Sequence, residues 1–246
     1  KEIVHNIRRP RPDDFQLKEA AEKIKKSKNP IIISGGGVFY SDAIEELGAF
    51  AVKHNIPVTQ TVMGYSTMKK DHSHFLGPIG GLGGKAANNF AKQTDLAIAV
   101  GTKLADFTTG SWANFENPYF SLVNINVARF DANKHLAQSV IGDAKVSLTE
   151  LSQILGDWKA SDDWYKKSRD ELKSWNEYID KESGPTNQEL PSYAHAVGAI
   201  YRNSDPTDIA VTAAGGLVGE VVQVWRPKEL NTHETEWGFS CMGYEI

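Results

Sequence analysis

The chain has 246 residues, of which 40% are apolar, 24% charged and 10% aromatic, enough to bury a substantial core in one large or two smaller domains. Its 27 Lys plus Arg against 31 Asp plus Glu leave a net charge of −4 without a dense basic run, which argues against a nucleic-acid partner. Cys241 is the single cysteine, so no internal disulfide forms, and no apolar run approaches the ~18 residues of a membrane span. A reducing, cytoplasmic setting is expected, with no membrane partner.

After the proline-punctuated segment Arg8 to Pro12, Asp13 is a suitable N-cap, and Leu17, Ala20, Ala21 and Ile24 recur at helical spacing. A helix is expected over 14–27. The all-apolar run from Pro30 to Ser34 reads as a parallel strand buried on both faces, followed at once by the turn Gly35 to Gly37. Ser41 is expected to cap the next helix, with Ile44, Leu47 and Ala51 on one face, before a strand from Ile56 to Gln60. The alternation continues with a helix at about 84–93, strands at 96–100 and 122–127, and a helix at 144–155. This pattern predicts an α/β fold built on a doubly wound parallel sheet.

From Gly156 to Gly184 the character changes, with five Trp and Tyr residues in a strongly charged segment. Trp164, Leu172, Trp175 and Ile179 support one amphipathic helix, expected to lie on a surface as a connector. A second α/β unit then begins: a helix holding Tyr193, Ala196, Val197 and Ile200, a strand from Asp208 to Thr212, and Ala214-Gly215-Gly216 opening another helix. One strand with two or three helices makes no core alone, so this unit reads as the truncated start of a second α/β domain. The expected division is 1–157, a connector over 158–184, and 185–246.

Gly81 to Ala86 fits the dinucleotide fingerprint G-x-G-x-x-A, but no strand is expected over 72–80 before it, and no acidic residue stands at the ribose distance. Gly84-Lys85 fails as a P-loop because Ile79 and Ala86 stand where Gly and Ser or Thr are required. His72 and His74 lack a carboxylate or thiol cluster and read as a solvated turn. Residues 233–243 match neither a zinc hydrolase motif nor a nucleophile elbow, and Cys241 reads as a small buried thiol.

Several segments together resemble the thiamine-diphosphate enzymes of the acetohydroxyacid synthase and pyruvate oxidase type. They are Arg9-Pro10, Pro30 to Val38, Ile56 to Val58, Gly77 to Gly81 with Lys85 to Asn88, Asp95 to Gly101, Asn124 to Asn126 and Gly142 to Lys145. These match the family's middle domain, while 208–212 and 238–244 match the opening of its diphosphate-binding domain. Thr212 to Leu217 and Asn231 to Ile246 are most similar to the branch that hydrolyses a C–C bond of a cyclic polyhydroxylated 1,2-diketone in myo-inositol catabolism.

The resemblance implies thiamine diphosphate as cofactor, bent so that its own 4′-amino group serves as base. Gly215, Gly216 and Leu217 would meet the diphosphate. In the stretch Ser240, Cys241, Met242, the Ser240 carbonyl would accept from the 4′-amino group and Met242 would wedge beneath the bend, with core packing as its plain alternative. His233, Glu234 and Glu236 are candidates, by position, for orienting the ring. No catalytic or metal residue is assigned within the chain. The Mg²⁺ ligands are expected after Ile246 and the activating glutamate before Lys1, so the chain alone is expected to be inactive. Flavin is disfavoured because Lys103 and Gly83 stand where FAD-holding relatives carry Arg and His. The family's sites form between chains, implying a homo-oligomer, dimer or tetramer. Two alternatives stay open: an acetolactate synthase-like carboligase, and a non-catalytic nucleotide-binding or oligomerisation module.

Overall fold

The computed structural model describes residues 8–236, 239 and 241–246. Among them, six parallel strands form one sheet in the order β3-β2-β1-β4-β5-β6. The strands are β1 Pro30–Ser34, β2 Val58–Gln60, β3 Phe75–Pro78, β4 Leu96–Val100, β5 Ser121–Asn126 and β6 Gln138–Ile141. The order reverses between β1 and β4, which defines a doubly wound sheet. Both strands are buried along their whole length, as their unbroken apolar runs require.

One face is covered by α1 Asp14–Lys26, α3 Ile44–His54 and α7 Ala144–Leu155. The first of these is capped by the Asp13 carboxylate, which accepts from the Phe15 and Gln16 N–H groups. Asp143 likewise caps α7 and is held by Arg9. The other face is covered by α4 Lys85–Gln93 and α8 Asp162–Glu182. Short helical turns α2 Gly36–Tyr40, α5 Asp106–Thr109 and α6 Arg129–Ala132 lie on the connections.

Three expectations are corrected. Ser41 does not cap α3; it closes α2, its N–H bonding to Gly37, and α3 starts after Ala43 without a side-chain cap. The strand β3 exists directly before the Gly81 to Ala86 motif, because pairing with β2 rather than local pattern creates it. Finally, α8 does not lie on a surface as a mere connector. Trp164 and Leu172 belong to the main core, and the buried Trp164 indole N–H donates to the Pro30 carbonyl at 2.9 Å.

The chain then forms α9 Tyr193–Asn203, β7 Ala210–Thr212, α10 Leu217–Val224 and β8 His233–Thr235. Ser192 and His195 close a capping box at the start of α9. The strands β7 and β8 pair in parallel as a separate two-stranded sheet, with Thr212 opposite Thr235. A small core of Ile179, Val197, Tyr201, Val221, Val224 and Trp225 joins this unit to α8.

The unit is tied back to the main sheet through residues 65–70. Lys70 donates its N–H to the Pro227 carbonyl at 2.8 Å, and the Asn231 N–H reaches the Ser66 carbonyl at 3.2 Å. Lys69 pairs with Glu229 at 2.6 Å, and the Lys70 ammonium donates to the Tyr201 hydroxyl at 3.0 Å.

Because Trp164 fills the core and satisfies a strand carbonyl, Trp164→Ala is expected to lower unfolding stability by about 3–5 kcal/mol. Urea denaturation followed by circular dichroism measures the loss.

Candidate functional site

The predicted cofactor residues begin at the turn from β7 into α10. Gly215 adopts φ 98°, a left-handed conformation that favours glycine, and a Cβ added there would meet nothing within 4 Å. Gly216 is the N-cap of α10, whose first turn has no side-chain cap, and Leu217 opens the helix half exposed. An open glycine turn ahead of an uncapped helix end presents N–H groups and a partial positive charge to an anion. The arrangement fits a diphosphate.

The Gly81 to Ala86 loop differs despite its matching glycines. Its N–H groups are spent internally, with Gly81 donating to Phe107 at 2.6 Å, Gly83 to Gly80 at 2.9 Å and Gly84 to Pro78 at 2.8 Å. A Cβ on Gly84 would lie 2.7 Å from the Trp175 indole nitrogen. These glycines serve close packing, at an edge strand far from the order reversal.

The tail lies on the outside. Glu236 accepts the N–H groups of Phe239 and Cys241 at 2.8 and 2.9 Å, and the Tyr244 hydroxyl donates to Glu234 at 3.2 Å. Cys241 is exposed, which corrects the expectation of a buried thiol, because this turn is held by carboxylates and not by apolar packing. Met242 is 87% exposed, so its core-packing alternative does not hold within this chain. Ser240 lies outside the described residues.

His233 and Glu234 sit on β8 and point to opposite sides, His233 8% exposed and Glu234 open to solvent. The His233 ring meets the Tyr65 ring edge to face, with centroids 5.2 Å apart and an interplanar angle of 89°. Burial pushes the imidazole down to about 4, so it is neutral at pH 7. Tyr65 is 4% exposed, and burial raises its phenol well above the usual range. Both residues line a pocket of about 340 Å³, together with Ser66, Asn231, Glu234 and Thr235. Sequence reasoning did not single out Tyr65, since no local signal ties residue 65 to residue 233.

The His72–His74 segment is not a solvated turn. His74 is 5% exposed and stacks on Tyr165 with ring centroids 4.6 Å apart. The Asn55 side-chain oxygen Oδ1 accepts from Nε2 at 3.3 Å, and Nδ1 pairs with the Ser73 hydroxyl at 2.9 Å. Burial, then the charges of Arg169 and His72, drive its pKa to about 4. Among the described residues no group of three His, Cys, Asp or Glu side chains could hold a metal, and no helix is long and apolar enough to cross a membrane.

A doubly wound parallel sheet followed by a strand, glycine turn and uncapped helix defines a class, and the comparisons with known proteins name it. Residues 17–151 match the thiamine pyrophosphate enzyme, central domain. The chain belongs to this family, which implies thiamine diphosphate as cofactor. Within it, the chain is 37% identical to the 3D-(3,5/4)-trihydroxycyclohexane-1,2-dione hydrolase of Clostridium perfringens strain 13, over all of the chain and 42% of that protein. A Bacillus anthracis protein of the same name is 36% identical over 99% of the chain and 42% of its own length. The Clostridium tetani protein of that name is 37% identical, again with 42% of it covered. The chain thus spans about two fifths of the length of the curated relatives it matches.

The buried imidazole of His74 gives an acid-side prediction. Its folded pKa of about 4 lies below the 6.5 of a free imidazole, so between these values the unfolded state binds more protons. Stability is therefore complete above pH 6.5 and falls as pH drops toward 4. In His74→Gln, thermal melts across this range should show a shallower loss than the parent chain.

Proposed function

We propose that the protein to which this chain contributes is a thiamine-diphosphate-dependent hydrolase that cleaves a C–C bond of a cyclic polyhydroxylated 1,2-diketone, opening trihydroxycyclohexane-1,2-dione to 5-deoxyglucuronate. The observation that carries the reading is the similarity, over essentially the whole chain, to relatives bearing that name. The β7–α10 turn supports it independently, because its backbone suits a diphosphate.

Thiamine diphosphate, when bound, would supply a nucleophilic carbon and an electron sink for C–C bond cleavage. The chain's own residues bind and orient. Gly215, Gly216 and Leu217, at the uncapped start of α10, would hold the diphosphate. Ser240 and Met242 are proposed to meet the pyrimidine and the cofactor's bend. His233, Glu234 and Glu236 are proposed to orient the ring, His233 as a neutral imidazole with one donor and one acceptor.

Mg²⁺ as the second cofactor and a cytoplasmic homo-oligomer complete the proposal. A carboligase is the less favoured reading, since the polar segment His233 to Glu236 suits a polyhydroxylated ring better than a small keto acid.

The test is thiamine-diphosphate-dependent disappearance of the cyclic dione in the full-length protein, followed by product mass. Absence of ring opening, or condensation of pyruvate instead, would overturn the reading. In the same protein Gly215→Ala forces a side chain into a left-handed backbone, and calorimetry is expected to show thiamine diphosphate binding weakened by about tenfold or more.

A further inference from the structure

A cavity of about 670 Å³ lies where α4, α8 and α10 meet, a size within the range of small-molecule sites. Lys85 from α4, Glu171, Ser174, Trp175 and Tyr178 from α8, and Gln223 from the last turn of α10 wall it. A ligand can reach all of them, since Lys85, Ser174 and Tyr178 are exposed and the other three partly exposed.

We infer that this cavity is a second ligand site, separate from the cofactor turn, and that it takes an uncharged polyhydroxylated ring.

One wall is aromatic and fixed. Trp175 packs against both hydrophobic cores and is wedged over Gly84, where an added Cβ would lie 2.7 Å from the indole nitrogen. The Tyr178 ring stacks on it, with centroids 5.5 Å apart and planes inclined by 27°. Such a surface attracts the C–H face of a sugar-like ring by dispersion, and a wall already held in place adds little ordering cost on binding.

The rim is polar and balanced in charge. Lys85 contributes one positive and Glu171 one negative group, so an anion meets the carboxylate and a cation meets the ammonium. Glu171 accepts from the Asn89 amide at 3.3 Å through one oxygen, which leaves the other as an acceptor. Among the described residues the Lys85 ammonium, the Ser174 and Tyr178 hydroxyls and the Gln223 amide have no protein partner. The set therefore holds a donor, an acceptor and groups that both give and take, and a ring hydroxyl can answer each of these. Groups on three helices surround the cavity. A ring with a hydroxyl on each carbon can meet them from several sides, whereas a flat heterocycle offers polar atoms only in its own plane.

The position gives binding a consequence. The helix α10 begins at the glycine turn proposed for the diphosphate and reaches Gln223 about 9 Å further along its axis. Val221 and Val224 seat it beside Ile179 of α8. A ligand held by α4, α8 and α10 together ties the second unit to the central domain and stabilises the folded protein by mass action.

The test is calorimetry of the full-length protein with myo-inositol as the probe, which reads binding without turnover and so stands or falls separately from the proposed function. Tyr178→Ala and Gln223→Ala are each expected to weaken binding about tenfold, with the Tm of the unliganded protein unchanged. Saturating myo-inositol should raise Tm by a few degrees in the parent protein and not in these variants. If Tyr178→Ala lowers the unliganded Tm, Gln223→Ala and Ser174→Ala decide. Absence of binding, binding that the variants leave intact, or tighter binding of inorganic phosphate or adenosine than of myo-inositol overturns the inference.

Discussion

The close crossing of backbones at the C-terminal ends of β1 and β4 is the constraint on which the rest of the structure depends. A Cβ on Gly37 would lie 2.6 Å from the Gly101 Cα, and one on Gly64 would strike the Ser34 carbonyl. Only glycine lets three chain segments converge there. The convergence closes the crevice at the order reversal and presses residues 62–67 against the sheet end. From that fixed base Tyr65 reaches β8, and Lys69 and Lys70 reach residues 227–229. The second unit is seated on the first through this short segment and through α8.

The helix α8 is the second support. A polar, highly charged sequence acquires its fixed place because Trp164 enters the core and Arg169 donates to the Phe75 carbonyl while lying over Tyr165. Arg169 is half-buried with no carboxylate partner among the described residues, and burial lowers its pKa. The adjacent His74 is kept neutral for the same reason. Apolar packing of the helix thus holds polar groups in states that water would not favour, and the C-terminal half of α8, through Ile179, passes that rigidity to α9 and α10.

Much of the central sheet was legible from the chain alone. Pro30 to Ser34 and Leu96 to Val100 are apolar without interruption, and α1 and α7 carry caps and helical spacing that need no distant partner. The strands β3, β6 and β8 were not legible, because each is short and is defined by its neighbour's hydrogen bonds. Similarly, the glycines of 81–84 match a diphosphate fingerprint in sequence, while their N–H groups are taken by the Phe107, Gly80 and Pro78 carbonyls. In the candidate site, Gly215 and Gly216 were readable as a strand-to-helix turn. The neutral, buried state of His233 was not, since it depends on Tyr65 packing across the seam.

The sequence by itself determined the class of fold, the family and the place of the glycine turn, because periodicity, caps and motif spacing are local properties of the chain. Tertiary structure decided which glycines stay open to an anion, which histidines lose water, and which tyrosine meets β8. Those outcomes follow from burial and backbone pairing between segments far apart in sequence, where desolvation and unsatisfied hydrogen bonds acquire their energy.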